Sequence, residues 1–393
     1  MATISVLFRL VFIFAIPNLS QDFYRFIWDG RMLFEGLNPY LSTPEKFIEQ
    51  KNYPISQALE IYQGMGTMNG SHFTNYPPVN QFCFYLAALF ANKSLIGTVV
   101  ILRLQIILAD LGIMFYGKKM LEKLKLPVNN IFLYLLNPFV IIELTGNLHF
   151  EPVMLFFLVL AIYQIHEKRY AWAGISMACS IAVKLIPILF LPLFLTYIVD
   201  KKTNIFKNLK NLIVFYLVCF ITLALFFASF LSKDFFANYS NSIGLWFRKF
   251  EFNASLYYLL REVGYWFRGY NEIAIIGKIL PVLSLLFVVF ITLFKKSKNT
   301  AQLILAMLWV VSFYYLASTT VHPWYLATLL MLSVFTKYRY ALIWTLVVVL
   351  SYQAYASSPW TENLYIVLLE YCLVFVFIIY ESNLGFLRTK KKG

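Results

Sequence analysis

Only 13% of the 393 side chains are charged, so the acidic and basic groups able to do chemistry are few and gather in a handful of places. The densest is "QDFYRFIWDGRMLFEGLNPY" (21–40), where Asp22, Arg25 and Asp29 recur at i, i+3 and i+7 and so share one face of a helix, with Arg31 two residues further on. A carboxylate fixed at such a point can accept a proton, and a guanidinium or ammonium can hold an anionic oxygen through charge-assisted hydrogen bonds. The same spacing has a plainer reading, an interfacial helix whose Phe23, Tyr24, Phe26 and Trp28 form an aromatic belt at a membrane surface. Further candidates are Glu151 in "TGNLHFEP" (145–152), Lys184 beside "LIPILFLP" and His322 in "STTVHPWY" (318–325). Arg248, Arg261 and Arg268 add three cations between 232 and 272. Each has an ordinary alternative: a snorkelling lysine, a histidine capping a crossing, arginines on lipid headgroups. Cys83, Cys179, Cys219 and Cys372 lack metal-ligand spacing and read as packing residues, so no metal is expected.

The elements that position these groups follow from composition, which is 60% apolar and 19% aromatic. A bilayer core about 30 Å thick needs about 20 mostly apolar residues per helical crossing, and such windows recur along the whole chain. The chain therefore reads as an all-α polytopic membrane protein, one integral-membrane domain over 1–393, with no nucleic-acid partner. Its net charge of +14 forms no basic face interleaved with stacking aromatics. It sits instead in short runs between apolar segments: "KKMLEKLK" (118–125), "HEKR" (166–169), "KKTNIFKNLK" (201–210), "KKSK" (295–298), "KYR" (337–339) and the tail "RTKKKG".

Placing every basic run on the cytoplasmic side requires an even number of crossings between successive runs, and the count closes. The crossings read as 3–19, 96–117, 129–146, 149–165, 170–185, 186–199, 209–231, 273–294, 300–317, 322–336, 340–356 and 362–382. Both termini are then cytoplasmic, and two long loops, 20–95 and 232–272, lie outside. Within the first, 75–91 is apolar but short and reads as re-entrant or interfacial. Residues 1–19 also admit a signal-peptide reading, which Arg9, the lack of an A-x-A site and the crossing parity oppose. The two short segments 170–185 and 186–199 meet at Pro187 and Pro192, a break tolerated only beside a protein or water-lined cavity. Charges inside crossings are Arg9, Arg103, Asp110, Glu143, Lys184, Lys278 and Glu370. Arg103 and Asp110, seven apart on one face, read as an internal ion pair.

Four motifs in order, "QDFYRFIWDGRMLFEGLNPY", "FTNYPPVNQF", "TGNLHFEP…AGISMACSIAVKLIPILFLP" and "STTVHPWYLATLLML", resemble the GT-C class of membrane glycosyltransferases. The likeness is to the polyprenol-phosphate-mannose-dependent mannosyltransferases, including the catalytic subunit of GPI mannosyltransferase I. It spans about residues 15–330 and departs at the insert 45–74. The resemblance implies a GT-C-like bundle of about 10–12 transmembrane helices with a long first extracytoplasmic loop. It implies transfer of a hexose, mannose above others, from a polyprenyl-phosphate donor to a hydroxyl of a glycan or glycolipid, with inversion and no cofactor. Asp22 would be the catalytic base. Asp29, Arg25, Arg31, Glu151, Lys184, His322 and Trp324 would bind substrate, Asp29 with an alternative role as the structural partner of an arginine. The partners are the bilayer, the lipid-linked donor and the acceptor. The location expected is a bacterial inner membrane with the site on the periplasmic side. A transporter or flippase of lipid-linked saccharides, or a polymerase of them, is the competing class. No internal repeat of the kind transporters carry is present.

Overall fold

In the computed structural model, which describes residues 1–199, 204–248, 250–357 and 360–390, the apolar runs fold as helices. Among the described residues the one β-feature is an isolated bridge between Phe252 and Thr320. The side chain of Arg248, part of the run 201–210 and the end of the basic tail lie outside the described residues.

In chain order the helices are α1 (Ala2–Leu10), α2 (Asp22–Phe34), α3 (Pro44–Glu49), α4 (Ala58–Gly70), α5 (Pro78–Ala91), α6 (Leu95–Lys123) and α7 (Phe132–Leu135). After a π-helical segment, Val140–Gly146, come α8 (Glu151–His166), α9 (Tyr170–Val183), α10 (Leu191–Ile198), α11 (Ile205–Ala228) and α12 (Phe235–Arg248). The remainder are α13 (Leu256–Arg268), α14 (Ile273–Phe294), α15 (Thr300–Leu316), α16 (Ala327–Val334), α17 (Tyr340–Val347) and α18 (Leu364–Lys390). Among the described residues four helices, α6, α11, α14 and α18, are long and apolar enough to cross a bilayer, and seven shorter apolar helical segments accompany them. The expected crossing at 129–146 is a pair of helical pieces bent by 60°, with Pro138 at the break, where Asn137 Oδ1 caps the Phe139 N–H at 2.9 Å.

The first expected crossing, 3–19, is helical only to Leu10 and continues through turns. Ending a helix early in apolar surroundings leaves carbonyls that need donors. Arg103 supplies them, donating to Ile13 O, Ala15 O and Thr145 O at 2.8 Å each and to Gly146 O at 2.9 Å. Arg103 therefore does not pair with Asp110 as its spacing suggested. Asp110 takes Arg9 instead, Nε to Oδ2 at 2.6 Å with both side chains buried, and Arg9 also donates to Ser5 O and Leu135 O. Two residues seven apart on a helix face the same way, but tertiary geometry decides which one meets the other charge.

The chain divides into two compact units, Met1–Ile188 with Ile198–Gly244, and Leu189–Tyr197 with the chain from Leu245 on. In the first, α9 packs on α8 and α11, α6 on α8 and α5, and α5 on α2. Two close approaches explain glycines of the motifs. A Cβ on Gly30 would lie 2.3 Å from the Phe84 carbonyl oxygen, so α2 rests directly on the backbone of α5. A Cβ on Gly174 would lie 2.6 Å from Phe215 O, so α9 rests in the same way on α11. In the second unit, residues 250–253 run beside 319–321, with Phe252 N–H on Thr319 O at 3.1 Å and Val321 N–H on Phe252 O at 2.9 Å.

Candidate active site

Asp22 opens α2, its N–H on Ser20 Oγ at 3.3 Å, where a carboxylate is favoured by the positive end of the helix dipole. The residue is half-buried. Its Oδ1 accepts from Asn69 Nδ2 at 3.4 Å, and Lys184 and Glu151 are near enough to act on its charge. Burial raises the carboxyl above its ordinary range, Lys184 and Asn69 pull it down, and Glu151 pushes it up again, with a net rise.

Lys184 stands in extended backbone (φ −146°, ψ 143°) between the end of α9 and the 3₁₀ turn Ile186–Phe190, so the Pro-marked break turns its side chain out of the helical path. Its ammonium is ion-paired with Glu151 Oε1. Glu151 is the first residue of α8, followed by Pro152, and its Oε2 is buried with no hydrogen-bond partner among the described residues. Two carboxylates, one ammonium and one amide thus converge from α2, α4, α8 and the break after α9. The set contains a basic group for a hydroxyl proton and a cation for an anionic oxygen. Among the described residues, no three His, Cys, Asp or Glu side chains are placed to hold a metal ion.

The other charges of the opening motif hold the loop together. Arg25 pairs with Asp29 at 2.8 Å and donates to Asn69 O at 2.7 Å and His72 O at 2.9 Å. Asp29, fully buried, accepts from Gln81 Nε2 at 2.9 Å with its other oxygen. Arg31 donates to Ser56 O at 2.6 Å and to Gln57 Oε1 at 3.2 Å. Tyr40, from "NPY", donates to the carbonyl of Tyr76, in "YPP", at 2.5 Å, which joins two motifs 36 residues apart. Asn147, from the "GN" turn, accepts from Leu19 N at 3.4 Å and so meets the chain three residues before Asp22.

The insert 45–74, which the resemblance left unexplained, carries the accepting carbonyls for Arg25 and Arg31 and contributes Asn69. Sequence reasoning missed Asn69 because no spacing relates it to Asp22. A weak signal was present in the neighbouring glycines. Gly66 is at φ +72°, where a side chain would strain the backbone, and a Cβ on Gly64 would collide with the Tyr24 ring at 2.4 Å.

His322 and Trp324 belong to the second unit, where their rings stack at 4.5 Å and 4°, with Phe252 5.2 Å from His322 on the paired segment. That segment is anchored at Asn253, whose N–H donates to Glu362 at 2.7 Å, whose amide donates to Glu370 at 3.1 Å and whose carbonyl accepts from Tyr371 at 2.7 Å. Of the loop cations, Arg261 pairs with Glu251 at 2.8 Å and Arg268 with Glu272 at 3.6 Å.

No curated protein matches the chain. Residues 1–200 of the 393 match the family described as alpha-(1->6)-mannopyranosyltransferase, N-terminal domain, and this stretch contains Asp22, Asn69, Glu151 and Lys184. With more than half its length in that match and its apolar spans, the chain belongs to this mannosyltransferase family and is a membrane glycosyltransferase.

Proposed function

We propose that the protein moves mannose from a polyprenyl-phosphate donor to an acceptor hydroxyl in one displacement, at the extracytoplasmic face, with Asp22 as base. The observation carrying this reading is the placing of Asp22, at the start of α2, within electrostatic reach of the Lys184–Glu151 ion pair. A lipid phosphate is a good leaving group that needs little protonation, so one carboxylate suffices where glycosidases need two. The acceptor oxygen attacks C1, the bond from C1 to the phosphate oxygen breaks, and the hydroxyl proton passes to Asp22. The departing phosphate keeps the electron pair and gains its counter-charge from Lys184.

A single displacement inverts C1, so an α-linked product, which the family's name suggests, requires a β-linked donor. The same name makes the 6-hydroxyl of a mannopyranose the acceptor of choice. The location we favour is a bacterial inner membrane with the periplasmic side holding the site.

The test is incubation of the purified protein with a panel of labelled polyprenyl-phosphate sugars of both anomeric forms and with mannoside acceptors. Transfer from the β-mannosyl donor to a 6-hydroxyl is the result expected. Transfer from a nucleotide sugar alone, or movement of lipid between leaflets without transfer, overturns the reading. Sidedness is read by labelling single cysteines at Ser71 and Lys296, both exposed, in intact cells. Reaction of an impermeant reagent at Ser71 and not at Lys296 is expected.

A further inference from the structure

The segment between α11 and α14 contains a helix whose surface is the reverse of a soluble loop helix. On α13, Tyr257 and Tyr258 are buried and Arg261 is mostly buried in its pair with Glu251, so this face packs against the protein. On the opposite side Leu259, Leu260, Val263, Trp266, Phe267 and, just past the helix, Tyr270 form an exposed apolar arc of roughly 120° at 100° per residue. Trp266 and Phe267 are 83% and 82% exposed. Contiguous aromatic surface of that kind marks a site that another apolar phase covers.

The attachment of α13 says which phase. Gly269, left-handed at φ +76°, ends the helix, and α14 begins at Ile273. Gly264 faces the Glu272 side chain with its Cβ position 3.5 Å away, and Arg268 pairs with Glu272, so α13 is bound to the first turn of a bilayer-spanning helix. From that turn onward α14 itself exposes Ile275, Ile279, Val282, Leu286, Phe290 and Phe294, the surface of a span against acyl chains. The arc of α13 is thus carried by a helix tied directly to the start of that span. Its composition, large aromatics with arginines kept on the other face, is that of a helix lying in the interface.

We propose that α13 is a membrane-interface helix whose arc around Trp266 and Phe267 is embedded at the headgroup–acyl boundary of the bilayer. The inference is independent of the transfer chemistry. It assigns α13 as the element that fixes the second long loop at the depth of the membrane surface.

The test uses the full-length protein in nanodiscs of phosphatidylcholine and phosphatidylglycerol, in a Cys372→Ser background. An environment-sensitive nitrobenzoxadiazole label is attached to Phe267→Cys and, in a second sample, to the exposed Glu49→Cys, with signal from the remaining native cysteines subtracted. Phe267 is 82% uncovered by the rest of the protein, so the substitution spares folding. Expected is blue-shifted emission at 267, quenched more strongly by brominated lipid than by aqueous iodide, with the reverse order at 49. Water-like emission at 267 in nanodiscs overturns the proposal. So does a blue shift that grows with protein concentration in detergent, the mark of a second copy, or one that arises only when a polyprenyl-phosphate sugar is added.

Discussion

Replacing Asp22 with Asn tests the proposed reaction through two effects of opposite sign. The Asp22 carboxyl is raised above its ordinary value by burial, with Lys184 and Asn69 opposing and Glu151 reinforcing. A carboxyl whose folded pKa exceeds its unfolded one contributes stability that is full below the unfolded value and is lost as pH rises through the folded value. At neutral pH ionised Asp22 therefore costs stability, and Asp22→Asn melts at the same temperature as the parent or higher. Activity moves the other way. The base must be ionised, so turnover falls as pH drops through the raised value, and removing a positioned base lowers turnover by roughly 10²–10⁴-fold, about 2.7–5.5 kcal/mol. The assay is single-turnover transfer from a labelled donor in nanodiscs across pH, with melting followed on the same samples. The neighbours supply a sign test. Glu151→Gln removes a negative charge that raises Asp22 and shifts the acid limb to lower pH, whereas Asn69→Ala removes a stabilising donor and shifts it to higher pH. An acid limb that moves in the wrong direction in either variant, or an Asp22→Asn protein within a few-fold of parental turnover, refutes the assignment.

Lys184→Met should raise the donor KM by about 10- to 150-fold, the roughly 1.5–3 kcal/mol of a hydrogen bond to a charged group. Because Glu151 is left buried beside it, Lys184→Met/Glu151→Gln is the variant in which folding is preserved, and an unchanged KM there removes Lys184 from the phosphate site. Asp29→Ala strands the buried Arg25 guanidinium and should cost about 3–5 kcal/mol of stability by denaturant titration in micelles, with turnover per folded molecule retained. Gly30→Ala pushes a methyl into the Phe84 carbonyl and should destabilise by about 1–3 kcal/mol, read as a lower melting temperature.

What the sequence disclosed depended on the range of the physics involved. Apolar runs long enough to span a bilayer announce α6, α11, α14 and α18, and Pro187 announces the break after α9, because both effects act within one stretch of chain; the bend at Pro138, inside the expected crossing 129–146, emerges only in the structure. The choice of partner for a charge does not. Helical spacing put Arg103 on the same face as Asp110, two turns away. Its guanidinium instead meets four carbonyls because α1 stops at Leu10 and the π-helical segment stops at Gly146, and each end leaves acceptors that an apolar environment must satisfy. A periodicity argument carries no knowledge of where another helix ends.

The same limit applies to the candidate site. The pairing of Arg25 with Asp29 follows from i, i+4 spacing, so the structural alternative for Asp29 was visible in the sequence. Glu151 and Lys184 were each nominated for substrate, and nothing in a separation of 33 residues suggested that they hold one another. Asn69 comes from an insert that no motif covers. Yet Arg25 and Arg31, two cations of the opening motif, spend their hydrogen bonds on carbonyls at 56, 69 and 72, all within or beside that insert. A motif that binds an insert so closely makes the insert part of the site's framework. If Arg25 is the clamp that sets Asn69 against Asp22, then Arg25→Lys, which keeps the charge and loses the forked geometry, should move the acid limb in the same direction as Asn69→Ala. Arg25→Lys with the parental pH profile and reduced stability alone would show that Asn69 is held by the backbone of α4 without it.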